Sequence, residues 1–299
     1  ILYRVYEICG MGSPSSGGLT VGQILGILEN FDLKEPVPSL KAAHLFIEAS
    51  KLAYADRALY MGDKDFIKVP EMGLIDKRYL LNRAQLITDV SSGKATAGHP
   101  KGSEELLRGL QQQSERPGTT HYVVVDKYGN AASVTSTIET GFGSRVMVGG
   151  FLLNNELTDF SFVPERNGRL VANRIQGGKR PRSSMAPTVV LKAGKPFLIT
   201  GSPGGSRIIS YVARAIFHIL EWGLDPQAAL NSGHIVNRNG VTELEEGTDA
   251  INLKEGLESL GHKVKIRNLN SGLHSILFAE DGTLIGAADP RREGLVMGE

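Results

Sequence analysis

The chain changes texture at Thr119, and that change limits what it can fold into. Upstream, residues 21–28 and 39–60 carry apolar side chains at helical spacing, with Thr20 and Ser39 placed as N-caps. Residues 91–117 are rich in Gly, Ser, Lys and Gln and read as an exposed, mobile linker with a short helix around 104–111. Downstream, residues 121–126 and 131–138 are β-rich runs joined through Lys127-Tyr128-Gly129-Asn130, a hairpin signal. A short strand at 151–154 follows, then a second hairpin at 188–191 and 196–200 and a helix over 206–222. Short helices at 226–230 and 253–260 precede two strands flanking Asp281-Gly282. Hairpins alternating with amphipathic helices predict a layered α+β domain, its sheets covered by helices.

Composition narrows the function classes. Hydrophobic residues at 41% and charged residues at 22% describe an ordinary soluble globular chain. Thirty-three Lys+Arg against 32 Asp+Glu leave a net charge of +1, so no nucleic-acid partner is expected. A single cysteine, Cys9, excludes an intrachain disulfide. No apolar run is long enough for a membrane-spanning helix. The opening Ile1-Leu2-Tyr3-Arg4-Val5-Tyr6 has no Met and no signal-peptide layout, and reads as a trimmed piece of a longer chain.

The junction Pro117-Gly118-Thr119-Thr120-His121-Tyr122 is where chemistry enters. A flexible segment ends at a Pro-Gly corner and a threonine opens a buried strand. Attack of Thr119 on the Gly118 carbonyl would free an α-amine of near-neutral pKa beside a nucleophilic hydroxyl. Taken alone, the Gly-Thr pair equally fits a loop running into an edge strand. Gly201-Ser202-Pro203-Gly204-Gly205-Ser206-Arg207 lies between a strand and a long helix. Its unshielded amides suit a phosphate or a developing oxyanion, though a tight strand-to-helix connection would look the same. The Walker A spacing is absent.

In Arg180-Pro181-Arg182-Ser183-Ser184-Met185, Ser183 and Ser184 offer hydroxyls and amides for a carboxylate, although adjacent loop serines are usually only solvated. Glu156 and Asp159, three apart in Asn154-Asn155-Glu156-Leu157-Thr158-Asp159, lie on one side of a helical turn, where they can grip an ammonium or face the helix dipole. The seven histidines show no metal-type spacing, so neither a metal site nor a cofactor is expected. His121 is taken as structural, and Glu48, Asp56 and Arg57 as solvated or packing charges.

In this order, the motifs resemble the γ-glutamyltranspeptidase family of N-terminal-nucleophile hydrolases. The likeness runs from Pro14-Ser15-Ser16-Gly17-Gly18 and Ala53-Tyr54-Ala55-Asp56-Arg57 through Thr119-Thr120-His121, Leu152-Leu153-Asn154-Asn155, Ser183-Ser184-Met185 and the loop at 201–207 to Asp289-Pro290-Arg291-Arg292. The resemblance implies a four-layer αββα sandwich. Residues 1–118 would be the end of a large subunit and 119–299 a small catalytic subunit, separated by self-cleavage between Gly118 and Thr119. It implies Thr119 as nucleophile, Thr137 as its hydrogen-bonding partner, and Gly204 with Gly205 as the oxyanion hole. Glu156 and Asp159 would bind the donor α-amino group, and Ser183 and Ser184 its α-carboxylate. The substrates would be glutathione and other γ-glutamyl compounds, with water or an amino acid or dipeptide as acceptor. Periplasmic or secreted localisation follows by the same resemblance.

Three departures shape the expectation. The family's carboxylate-pairing arginine lies in a region this sequence does not contain. Glu139 stands where many members have an Asn that contacts the donor amino end. The segment 162–178 is shorter than the lid of some members and has no tyrosine, which would admit water and larger acyl donors. Two alternatives follow: a cephalosporin-acylase-like amidohydrolase for glutaryl groups, and an unprocessed or truncated homologue without catalysis, a binding or structural remnant.

Overall fold

The computed structural model describes residues 1–34, 39–111 and 118–298. In chain order the first part supplies β1 (Leu2–Tyr3), β2 (Tyr6–Gly10), α1 (Gly17–Leu28), α2 (Leu40–Tyr60), α3 (Glu71–Leu74) and α4 (Lys77–Ala84). Beyond the junction come β3 (Thr119–Val125), β4 (Ala131–Thr137), β5 (Met147–Val148), β6 (Phe151–Leu152), β7 (Glu165–Arg166), β8 (Arg169–Leu170), β9 (Thr188–Lys192) and β10 (Lys195–Gly201). The chain continues through α5 (Ile208–Trp222), α6 (Pro226–Asn231), β11 (Ile235–Asn237), β12 (Thr242–Glu245), α7 (Lys254–Ser259), β13 (Val264–Arg267), β14 (His274–Phe278) and β15 (Leu284–Ala288).

A six-stranded antiparallel sheet in the order β1-β2-β9-β10-β14-β15 is the frame. Because β2 pairs with β9, the segments on either side of Thr119 are sewn into one sheet. Helices α1 and α5 cover one face, where Val21, Ile24 and Leu25 meet Ile209, Val212, Ile216, Val190 and Leu198 in one core. Each of these fully buried side chains contributes about 1.5–3 kcal/mol relative to exposure. The hairpin β3–β4 lies on the opposite face, with Ser133 Oγ donating to the Thr200 carbonyl on β10 at 2.9 Å. Period-2 alternation turns Thr119 and His121 inward and Thr120 and Tyr122 outward. The layer order is therefore helix, sheet, hairpin, and the α+β class holds. Among the described residues no helix is long and apolar enough to cross a membrane.

Local chemistry explains the elements. Asp126 closes the β3–β4 turn by accepting from the Tyr128 and Asn130 amides at 2.8 and 2.9 Å, and Gly129 supplies φ +83°. Ser39 caps α2 by accepting from the Ala42 amide at 3.3 Å, and Gly223 ends α5 in the left-handed region. Thr20 is not a cap: its hydroxyl donates back to the Ser16 carbonyl at 2.8 Å, inside a helix that starts at Gly17.

Two further expectations are corrected. Residues 104–111 form turns rather than a helix, because the amides of Gly109 and Gln111 are taken by the carbonyls of Leu170 and Ala58. Residues 91–111 are anchored to the domain by several such bonds, including Tyr60 to the Gly98 carbonyl at 2.7 Å and Ala95 to Asn239 at 2.8 Å. Residues 112–117 of the expected linker lie outside the described residues.

The strap formed by residues 91–111 lies over α2. Its Ser92 and Gly98 bond Glu48 and Asp56, while Arg57 is buried against Ser16 and Ser184, so of the two readings of these charges, solvated or packing, all three are packing charges. Asp56 accepts from Gln23, Tyr79 and the Gly98 amide, with Arg83 at 3.4 Å. His44, Glu48 and His262 also converge, despite having no metal-type spacing in sequence, and Lys51 brings the positive charge there, 2.6 Å from Glu48 and 3.4 Å from His262.

Candidate active site

Thr119 opens β3 directly opposite Thr137, the last residue of β4. The register produces a chain of hydroxyls. Thr119 Oγ1 donates to Thr137 Oγ1 at 3.0 Å, and Thr137 Oγ1 donates to the Gly118 carbonyl at 3.3 Å. That carbonyl also accepts from the Ile138 amide at 3.2 Å, so two donors polarise the bond preceding Thr119. The Glu139 amide fixes Thr137 by donating to its Oγ1 at 2.9 Å. Glu139 itself takes φ +74°, a strained setting for a non-glycine residue.

Gly118 is required for space. A Cβ there would stand 2.4 Å from the Glu139 carbonyl oxygen. Pro117 lies outside the described residues. His121 fills the gap above Gly201, where a Cβ would fall 2.3 Å from the imidazole, and its Nδ1 pairs with Thr135 Oγ1 at 2.9 Å. Burial, helped by His274 nearby, lowers its pKa to about 3. It therefore packs as a neutral ring, and the structural reading of His121 fits.

The loop after β10 carries Gly204 at φ +135° and Gly205 at φ +60°. Only glycine suits Gly204, whose Cβ would meet the Tyr211 ring at 2.7 Å. The amides of Gly204 and Gly205 have no partner among the described residues. Arg292 links this loop to β3. It donates to the Thr119 carbonyl at 3.4 Å, while Gly272 is pressed between Arg292 and Pro203.

A third group surrounds Ser183 and Ser184. The motif 14–18 pairs with residues 183–186: Ser16 donates its amide and hydroxyl to the Ser183 carbonyl, and Gly17 leaves no room for a Cβ against the Met185 carbonyl. Arg57 on α2 joins the two motifs, with Nε on Ser16 Oγ at 2.8 Å and Nη2 on Ser184 Oγ at 2.6 Å. Arg182 packs beside it and donates to the Arg57 carbonyl at 3.1 Å. Both guanidiniums are buried, at 2% and 5% exposure, and neither ion-pairs with a carboxylate among the described residues.

Glu156 and Asp159 lie on a single 3₁₀ turn, Glu156–Asp159. Burial first, then the charge of Asp159 and a hydrogen bond to it, raise the pKa of Glu156. Burial likewise raises Asp159, against the pull of Arg57 and Arg182, and Glu139 hydrogen-bonds to it. Carboxyls that share hydrogen bonds must hold protons between them, or exchange those protons for a cation. The segment 162–178 is pinned rather than a free lid. Val171, Ala172 and Asn173 are buried, and Asn173 bonds both the Asp159 carbonyl and the Arg182 amide.

The geometry links Thr119 to Thr137, Glu139 to Glu156 and Asp159, and Asp159 through the arginines to Ser184. Sequence reading missed Arg57 and Arg182 as site residues. The signal was present in their motifs, Ala53-Tyr54-Ala55-Asp56-Arg57 and Arg180-Pro181-Arg182-Ser183.

Comparison with known proteins gives a consistent picture. The gamma-glutamyltranspeptidase family model matches residues 1–299. A glutathione hydrolase proenzyme of Escherichia coli (strain K12) is 43% identical over 299 residues, covering 97% of this chain and 50% of the relative. One of Bacillus subtilis (strain 168) is 40% identical over 308 residues, covering 99% and 51%. A cephalosporin acylase from Bacillus halodurans shares the fold, with a TM-score of 0.85 at 24% identity over 99% of this chain and 52% of that one. The chain spans about half the length of the curated relatives it matches.

Proposed function

The chain belongs to the gamma-glutamyltranspeptidase family, and from that premise we propose that it cuts itself before Thr119 and hydrolyses or transfers γ-glutamyl groups. In the uncut chain, Thr119 Oγ1 attacks the Gly118 carbonyl carbon. The hydroxyl proton passes toward Thr137, and the Gly118 oxygen is held by Thr137 and the Ile138 amide. The C–N bond breaks as the Thr119 nitrogen takes a proton, leaving an ester that water hydrolyses. Residues 1–118 and 119–299 would then be two subunits of one domain.

In turnover the freed α-amine of Thr119 is the base for its own hydroxyl, and Gly204 with Gly205 offers amides to the tetrahedral oxyanion. Glutathione and related γ-glutamyl amides are the proposed donors, with water, an amino acid or a dipeptide accepting the acyl group. Export to the periplasm or medium is part of this proposal.

The observation that carries the reading is the pairing of the Thr119–Thr137–Gly118 hydroxyl chain with a cluster of buried carboxyls and guanidiniums. A glutaryl group lacks the ammonium that Glu139, Glu156 and Asp159 are arranged to exchange for their shared protons. The acylase reading is therefore the weaker one, and the intact hydroxyl chain argues against an uncut, inactive protein. Two bands on a denaturing gel and turnover of γ-glutamyl-p-nitroanilide are expected, both lost in Thr119→Ala. Continued cleavage or turnover in Thr119→Ala, or a preference for the glutaryl anilide, would reject the reading.

A further inference from the structure

A carboxylate only accepts hydrogen bonds, so a seat built from serines must present protons rather than lone pairs. Ser184 Oγ already accepts from Arg57 Nη2 at 2.6 Å, and Ser183 Oγ from the Met185 amide at 3.1 Å. Neither hydroxyl donates to any group among the described residues, so each accepts one bond from the protein and leaves its proton for a ligand. Arg57 holds this arrangement from behind. Its Nε is fixed on Ser16, whose own proton goes to the Ser183 carbonyl at 2.7 Å. Its Nη1, like the Nε of Arg182, is buried with no partner. Two buried guanidiniums with unspent donors and no ion-paired carboxylate are costly unless an anion arrives nearby.

We propose that Arg57 is the positioning residue of the carboxylate seat: it turns the Ser184 hydroxyl outward as a donor and supplies, through it, the positive charge that an α-carboxylate needs. Arg57 does not touch the ligand itself. The inference rests on the γ-glutamyl reading above and deepens it. A lysine would keep the charge but cannot reach Ser16 and Ser184 together, because that needs the guanidinium fork.

The test uses three p-nitroanilides: γ-glutamyl, with amine and carboxylate; glutaryl, with the carboxylate alone; and 4-aminobutyryl, with the amine alone. In Arg57→Met the preference for γ-glutamyl over 4-aminobutyryl, as a ratio of kcat/KM, should fall roughly 10- to 100-fold, the range of a charge-assisted hydrogen bond. The preference for glutaryl over 4-aminobutyryl should fall with it. Ser184→Ala should reproduce most of that loss, and the double variant should lose no more than Arg57→Met alone. Equal losses on all three anilides would show general damage and overturn the inference, as would losses that multiply in the double variant.

Calorimetric titration with L-glutamate and with 4-aminobutyrate gives a readout without turnover. Arg57→Met should weaken only L-glutamate, and an unchanged ratio of the two affinities rejects the proposal. If the parent protein turns over none of the anilides, the γ-glutamyl reading fails, and the titration still decides the role of Arg57.

Discussion

Removing the hydroxyl of Thr137 while keeping its shape isolates the proposed self-cleavage step. In Thr137→Val the Gly118 carbonyl loses one of its two donors, the 3.3 Å bond from Oγ1, and keeps the Ile138 amide at 3.2 Å. Losing one oxyanion donor of this kind costs about 10²–10³ in rate, roughly 2.7–4 kcal/mol of the barrier. The Thr119 hydroxyl also loses its acceptor at 3.0 Å, so the nucleophile is no longer aimed along the chain of hydroxyls. A separate cost falls on the folded state. The Glu139 amide loses its acceptor, worth about 1–3 kcal/mol where water cannot replace it. Freshly purified chain would be followed by denaturing gel and intact mass, with the small fragment checked for an N-terminal threonine. Self-cleavage should slow by about 10²–10³-fold in Thr137→Val and stay within about tenfold in Thr137→Ser, which restores the donor. A thermal melt separates slow cleavage from misfolding. A folded Thr137→Val protein that cuts at the parent rate would refute the relay.

Three further outcomes follow from the same geometry. Gly204→Ala places a Cβ 2.7 Å from Tyr211 at φ +135°; cleavage should proceed while anilide turnover drops about 10²-fold or more, and retained turnover would dismiss the loop as an oxyanion donor. Gly118→Ala, with its Cβ 2.4 Å from the Glu139 carbonyl, should leave the chain uncut on gels, and normal cutting would show that the strand ends yield more easily than the packing implies. The pKa of His121 is lowered to about 3 and that of His262 to about 4, in both cases chiefly by burial, so both stay neutral in the fold while the unfolded chain takes up protons below about 6.5. Their contribution is complete above about pH 6.5 and is lost as pH falls toward 4 and then 3, at about 1.4 kcal/mol per pH unit for each imidazole. Urea melts at stepped pH should show that slope reduced in His121→Leu, and an unchanged slope would remove His121 from the account.

Legibility in the sequence divides by range. The junction at Thr119, the glycines at 204 and 205 and the serines at 183 and 184 stood out because each proposed role rests on the residue's own hydroxyl or backbone amide, though it was the family resemblance that supplied those roles. The hairpins were readable for the same local reason, since Asp126 and Gly129 carry the turn between them. Arg57 and Asp56 were not, because a charge on a helix is normally solvated and nothing nearby in sequence says otherwise. What covers them comes from afar: for Asp56 the strap 91–111, whose polar composition reads as mobile, and for Arg57 the residues Arg182 and Ser184, 125 and 127 positions beyond it. That strap stays in place through backbone groups, such as the Gly98 amide on Asp56 and the Gln111 amide on the Ala58 carbonyl, which composition does not reveal.

The buried charges also bear on how the proposed site would handle a zwitterion. Asp159 is the carboxylate that both Arg57 and Arg182 feel most strongly, yet it forms no ion pair with either among the described residues. Closing that gap would neutralise the arginines and remove the need for a ligand anion. Holding it open leaves a positive side behind Ser184 and a proton-sharing carboxyl side at Glu156 and Asp159 that can exchange its protons for a cation, with Asn173 spanning the backbone between Asp159 and Arg182. A ligand carrying one charge satisfies only one side and leaves the other buried and uncompensated, so discrimination against it comes from unpaired protein groups rather than from lost contact area. On the proposed γ-glutamyl reading, selectivity for an amino acid over a simple acid would thus be set by two sides that the polypeptide keeps apart before any substrate arrives.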